Sequence, residues 1–138
     1  MLRILVLCTG NSARSQMGEA LFRHEGGGAV EVVSAGTKPS HARPEAVAVM
    51  GEIGIDISGQ RSKSVDEFAG QKFDVIVTVC DNARDACPVF PGAAERVHWS
   101  FEDPAAAQGS DAERLATFRN VRDQIQTRVK SFYSLRPR

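Results

Sequence analysis

Apolar and polar positions alternate between two periods along this chain, and that change of period sets out its elements. Residues 3–7 are a short apolar run of the kind found in a strand buried on both faces. A helical pattern follows over residues 15–25 and stops at Gly26-Gly27-Gly28. Val30 to Ser34 reads as a second strand, closed by Gly36. Pro44 stands at the first turn of a helix in which Ala46, Val47, Met50 and Ile53 recur at helical spacing, with Gly54 as its stop. Ser64 is placed to cap a short helical turn at Val65-Asp66-Glu67-Phe68. Phe73 to Val79 is a third strand around Val75-Ile76-Val77, and Val97 to Ser100 a shorter fourth. From Asp111 to Tyr133 a long helix carries Leu115, Phe118, Val121, Ile125, Val129 and Phe132 on one stripe, with Arg122 beside Val121.

This order predicts an α/β fold: an open four-stranded parallel sheet with helices on both faces, in a single domain over residues 1–138. Ligands of such sheets bind at the C-terminal ends of the strands, near the point where the strand order reverses. Cys8 ends the first strand, Cys80 follows the third and Asp103 follows the fourth, so the three are expected on one edge. No repeat, linker or low-complexity segment interrupts the pattern.

Composition narrows the function classes. The chain has 138 residues, 42% hydrophobic and 25% charged, with 17 cationic and 17 anionic side chains. A zero net charge gives no argument for nucleic acid or membrane surfaces. The basic C-terminal end (Arg128, Lys130, Arg136, Arg138) reads as a solvated helix end. No apolar run approaches the ~20 residues of a membrane span, and the first eight residues read as a strand, so a cytoplasmic location is the default expectation. Three cysteines, an odd number, do not suggest a secreted disulfide framework. Neither a C-x-x-C pair nor a Cys/His cluster suggests a metal, and none is expected. His24, His41 and His98 show no ligand spacing, and Trp99 and Phe101 read as packing residues.

The candidate chemistry starts at Cys8-Thr9-Gly10-Asn11-Ser12-Ala13-Arg14-Ser15, between a strand and a helix N-terminus. Unpaired backbone N–H groups and the positive helix end can hold a tetrahedral oxyanion there. Arg14 adds a forked pair of donors, and both features favour a thiolate at Cys8. Gly10 and Ser12 let the backbone curl. Asn11 tolerates a left-handed conformation and can pin the loop through its amide. The Ser15 hydroxyl can donate to the Cys8 sulfur.

Asp103-Pro104 is the second feature. Proline holds the preceding residue extended, which fixes the direction of the Asp103 carboxyl for donation to a departing oxygen. By spacing alone the pair reads as a turn starter, and only the expected convergence with Cys8 lifts the acid role. The third feature is Cys80 with Cys87, seven residues apart. Were the segment helical, its ends would lie about 10 Å apart along the axis, beyond the ~7 Å between α-carbons that a disulfide tolerates. It would have to unwind in part for the two to bond. Without Cys8 nearby the two read as unrelated thiols, one buried at a strand end and one in a loop.

Together these residues resemble the low-molecular-weight tyrosine phosphatase fold family, and more closely its arsenate reductase branch. The markers are Cys8 to Met17, Ser34-Ala35-Gly36, Asp56-Ile57-Ser58, Val77-Thr78-Val79-Cys80, Cys87-Pro88 and Trp99 to Ala105. The Cys80/Cys87 pair separates the reductases from the phosphatases. The resemblance implies catalytic roles for Cys8, Arg14, Ser15, Cys80, Cys87 and Asp103, and an oxyanion cradle over Thr9, Gly10, Asn11, Ser12, Ala13 and Arg14. It implies arsenate as substrate, a three-thiol relay, a thioredoxin-type reductant and no bound cofactor. Some relatives bind potassium through positions matching Asn11, Glu19, Ser34 and an acidic residue near position 63. Here Lys63 stands there, and its ammonium is expected to take the cation's place. Ala13 replaces a loop cysteine of many relatives.

Two other functions use the same residues. An aryl or tyrosine phosphatase needs only Cys8, Arg14, Ser15 and Asp103, but no aromatic residue follows Asp103-Pro104 or lines residues 37–44 to stack on a ring. A redox sensor would use the thiols once instead of cycling. No DNA-reading helix or basic patch is evident, and a monomer is the expected state.

Overall fold

The computed structural model describes residues 2–68, 70–80 and 95–135. Strand β1 spans Leu2–Cys8, helix α1 Arg14–Gly26, β2 Val30–Gly36, α2 Pro44–Gly51, β3 Val75–Thr78, β4 Glu95–His98 and α3 Asp111–Ser134. Short 3₁₀ turns occur at Gly27–Ala29, Val65–Phe68 and Pro104–Ala106. The strands lie in the order β2-β1-β3-β4 and all pair in parallel. The chain steps from β1 to β2 on one side, then crosses back to β3 on the other. The strand order therefore reverses at β1, whose C-terminal residue is Cys8.

Why β1 lies at the centre is visible in its side chains. Ile4, Leu5, Val6 and Leu7 are all fully buried. Successive strand residues point to opposite faces, so both faces of the sheet are covered. Helix α1 comes close to β1 at Gly18, where a β-carbon would stand 3.2 Å from Val6 Cγ1. Helix α3 buries Phe118, Val121, Ile125, Val129 and Phe132, the expected stripe, while Leu115 is half-buried. Its start is fixed by a reciprocal cap between Ser110 and Glu113. Trp99 stacks on Phe22 with ring centroids 5.6 Å apart and meets Phe101 edge-on, so both pack as expected.

Element ends shift by a few residues from the sequence pattern. Strand β3 starts at Val75 instead of Phe73, because the Asp74 carboxylate takes the Arg3 N–H at 2.8 Å at the edge of the ladder. Strand β4 runs Glu95–His98, earlier than the expected Val97 to Ser100; Trp99 N–H still donates to Thr78 O at 2.9 Å before the chain turns away. Helix α2 ends at Gly51, and Gly54, at φ 79°, serves the turn after it, in which Ile55 N–H returns to Met50 O. No helix of the described residues is long and apolar enough to cross a membrane.

Candidate active site

The loop after β1 is held by its carbonyls. Cys8 O accepts from Thr37 N–H (3.2 Å), Thr9 O from Lys38 N–H (2.9 Å), Gly10 O from Ser40 N–H (3.0 Å) and Ser12 O from Arg43 N–H (2.9 Å). Asn11 O accepts from Gln16 Nε2 at 3.0 Å. The carbonyl and N–H of a peptide point in opposite directions, so fixing the carbonyls outward turns the amide edge of the loop inward. One such amide, Asn11 N–H, points at Cys8 Sγ at 3.3 Å. Gly36 makes the close approach possible: a β-carbon there would collide with Thr9 O and stand 2.9 Å from Asn11 N.

Cys8 is 2% exposed, and its sulfur lies 2.9 Å from Ser15 Oγ. The Asn11 side-chain amide donates to Ser15 Oγ at 2.7 Å and to Ser34 Oγ at 2.9 Å. With an N–H received there, the Ser15 hydroxyl keeps its own proton free to donate to a thiolate at Cys8. Asn11 has φ 47°, the left-handed conformation that the sequence suggested. The network continues inward: Ser34 Oγ donates to Glu19 Oε1 at 2.6 Å, and Glu19 Oε2 receives Arg23 at 2.9 Å. The Lys63 ammonium lies 3.5 Å from Glu19 Oε1 and donates to Arg61 O at 2.9 Å. A lysine cation thus stands where the Asn11–Ser34–Glu19 group faces position 63.

Arg14 opens α1 and turns toward the loop after β4. It donates to Phe101 O at 3.1 Å, and its other terminal nitrogen stands 3.7 Å from Asp103 Oδ2. Asp103 is extended, with φ −82° and ψ 106°, and its Oδ1 accepts from Ala105 N–H at 3.0 Å. The turn reading of Asp103-Pro104 therefore holds, and the carboxyl is also turned toward Arg14. One oxygen caps a short turn, and the other faces Arg14. Cys80, 5% exposed, lies with its sulfur 3.4 Å from Thr9 Oγ1, against the loop after β1. Cys87 and the segment joining it to Cys80 lie outside the described residues.

Cys8, Arg14, Ser15, Asp103 and Cys80 are thus gathered at one sheet edge, as expected from strand ends. The periodicity did not reveal Gln16, whose amide also donates to Arg61 O at 2.9 Å, or Ser62, whose hydroxyl donates to Gly10 O at 2.9 Å. These are long-range bonds without a local signal. Of the histidines, His24 and His41 are exposed and His98 Nδ1 is bonded to Thr78 Oγ1 at 2.7 Å.

Known proteins are similar to this chain over most of its length. An arsenate reductase of Halalkalibacterium halodurans is 50% identical over 129 residues, which are 94% of this chain and 93% of the relative. A solved arsenate reductase in its oxidized state superposes with a TM-score of 0.80 at 34% identity, covering 95% of each chain. A thioredoxin-dependent arsenate reductase of Corynebacterium glutamicum gives a TM-score of 0.75 at 26% identity, over 97% of this chain and 61% of that one. The model of the low molecular weight phosphotyrosine protein phosphatases matches residues 3–135, from the first strand through the last helix, and the chain belongs to that family.

Proposed function

We propose that this protein reduces arsenate to arsenite through Cys8, Cys80 and Cys87, with a thioredoxin-type protein as electron donor. The observation that carries the reading is the second buried thiol: Cys80 lies against the anion loop, 3.4 Å from Thr9 Oγ1. Phosphate-ester hydrolysis has no use for it. The relatives that share most of this chain are named arsenate reductases, which supports the substrate.

In the proposed sequence the loop amides and Arg14 hold arsenate over Cys8. The Cys8 thiolate forms a sulfur–arsenic bond while Asp103 gives a proton to the oxygen that leaves as water. The Ser15 hydroxyl keeps the sulfur oriented. The Cys80 thiolate then attacks the Cys8 sulfur. The sulfur–arsenic bond breaks with its electron pair passing to arsenic, arsenite leaves, and a Cys8–Cys80 disulfide remains. Cys8 and Cys80 are 2% and 5% exposed, too buried for a protein reductant to reach a bond between them. Cys87 supplies the missing step. It attacks Cys80, frees Cys8, and carries the oxidised pair to the reductant.

The test is arsenate-dependent NADPH oxidation with thioredoxin and thioredoxin reductase, at low phosphate, beside an aryl phosphate assay. Steady multiple turnover that needs arsenate is the expected result. Phosphate release without NADPH oxidation would replace the reading with a phosphatase. A single oxidation without cycling would replace it with a sensor.

A further inference from the structure

A line of side-chain hydrogen bonds runs inward from Gln60 to the Cys8 sulfur. Half-buried Gln60 donates through Nε2 to Gln16 Oε1 at 2.7 Å. Gln16, fully buried in α1, donates through Nε2 to Asn11 Oδ1 at 3.1 Å. Asn11 Nδ2 donates to Ser15 Oγ at 2.7 Å, and Ser15 Oγ lies 2.9 Å from Cys8 Sγ. The amides all run in one direction, because a backbone group fixes the orientation of each. Gln60 Nε2 also donates to the Gln16 carbonyl at 3.1 Å, so that end must be the nitrogen. Gln16 Nε2 faces two further backbone carbonyls, Asn11 O at 3.0 Å and Arg61 O at 2.9 Å. Asn11 Oδ1 receives the Lys63 backbone N–H at 2.8 Å. An amide turned over at any of these positions would set like groups against each other.

From this line we infer that Gln16 is a positioning residue for the Cys8 thiolate, acting through Asn11 and Ser15. Its one amide nitrogen holds both the carbonyl and the side-chain oxygen of Asn11, which fixes the Asn11 side chain against its own left-handed backbone. Asn11 Nδ2 is thereby kept on Ser15 Oγ, and the Ser15 proton is kept for the sulfur. Were Asn11 Oδ1 to face Ser15 instead, the hydroxyl would give its proton to that oxygen, and the thiolate would meet a lone pair. Donors aligned head to tail also polarise one another, so each outer amide strengthens the bond at the sulfur. Gln60 aligns Gln16 and is the outer end of the same line. The inference rests on Cys8 working as a thiolate, which the arsenate reading shares, but it does not depend on which oxyanion is bound.

The ultraviolet absorbance of the Cys8 thiolate would be titrated against pH in the wild type, Gln16→Met, Gln60→Met, Ser15→Ala and the double variant Gln16→Met/Ser15→Ala. Each curve is read as the difference from the same protein carrying Cys8→Ser. Gln16→Met keeps the length of the side chain and removes its amide. Loss of one neutral hydrogen bond corresponds to roughly a fivefold factor, so the Gln16→Met titration should move up by about 0.7 pH unit. In the arsenate assay kcat should fall about fivefold. Gln60→Met should shift the titration the same way by less. In the Ser15→Ala background the Gln16→Met shift should largely vanish, since the group it acts through is gone. A folded Gln16→Met protein that titrates like the wild type would overturn the inference. So would a shift that persists in full beside Ser15→Ala; a merely structural Gln16 gives one of these two results. If Gln16→Met does not fold, an unshifted Gln60→Met overturns the line. The expected shifts in a protein that turns over no arsenate would keep the role of Gln16 and overturn the arsenate reading.

Discussion

Asn11 holds together groups that sequence places far apart. Its side chain bonds Ser15, Ser34 and the Lys63 N–H, and its own N–H points at the Cys8 sulfur. The consequence for Cys8 can be measured at Ser15. Ser15→Ala removes a hydroxyl 2.9 Å from the sulfur and leaves an Asn11 N–H unpaired. Hydrogen bonds to charged groups contribute about 1.5–3 kcal/mol, so kcat should fall by roughly 10- to 100-fold with KM little changed; kcat within twofold of wild type would remove Ser15 from the chemistry. Gly36→Ala acts on the loop itself. Its β-carbon would collide with Thr9 O, so the anion loop must shift. Phosphate affinity measured by calorimetry should drop sharply while the far-UV circular dichroism stays native. At Lys63 the expectation concerns potassium. The ammonium already faces Glu19 at 3.5 Å, and a second cation there would be repelled. Melting temperature and activity should respond to potassium no more than to sodium at equal ionic strength; a rise specific to potassium would contradict this. The local part of this site was legible in the sequence, because a strand end, a helix start and a left-handed Asn11 lie within a few residues. The close approach of Gly36 and the bonds from Gln16 and Ser62 to the loop were not, since each depends on tertiary placement.

Helices α2 and α3 are joined by ion pairs that make acid stability predictable. The Arg119 guanidinium is forked on Glu52 at 2.8 and 2.7 Å, and Arg122 adds a bond at 2.9 Å while donating to Val49 O. Arg119 first, then Arg122, hold the Glu52 carboxyl down to about 2, against some desolvation. Arg114 likewise lowers Glu45 at the other end of α2. A folded value below the unfolded one means that the charged form is favoured by folding. The contribution of Glu52 is present above the unfolded carboxyl range of about 4.3 and is lost as pH falls toward the folded value. Glu52→Gln should therefore lower the melting temperature at neutral pH by a small, salt-sensitive amount. The gap to wild type should begin to shrink below roughly pH 4 and close as pH nears the folded value of about 2. A gap that persists unchanged to low pH would mean that Glu52 contributes through shape and not charge. Among the elements, helix existence was clear from periodicity, and the Ser64 turn was read correctly, with Asp66 N–H donating to Ser64 Oγ at 3.1 Å. Strand ends were less clear. Where β3 begins is decided by an Asp74 carboxylate that competes with the ladder for Arg3, and no pattern of hydrophobicity records such a competition.

At the scale of the molecule, the order β2-β1-β3-β4 puts the ends of β1, β3 and β4 beside one another. Parallel strands end on one edge, so the loops after β1, β3 and β4 bring Cys8, Cys80 and Asp103 together although 72 residues separate the two thiols. The sequence predicted a parallel sheet and hence a shared edge, whereas the neighbours of each strand emerged only from the fold. Two substitutions separate the stages of the relay. Cys80→Ser leaves the anion loop, Arg14 and Asp103 in place, so hydrolysis of an aryl phosphate should persist at whatever rate the wild type shows. Arsenate-dependent NADPH oxidation should vanish, because no thiol attacks the Cys8 sulfur. Loss of both activities in a folded protein would give Cys80 some other role. Cys87→Ser blocks the later step. Arsenite should then form in a single turnover, and the protein should accumulate a Cys8–Cys80 disulfide visible by mass spectrometry of a non-reduced digest. Since both sulfurs in that bond come from buried residues, added thioredoxin should reduce it slowly or not at all. Sustained turnover at the wild-type rate would remove Cys87 from the scheme and require thioredoxin to reach Cys80 directly.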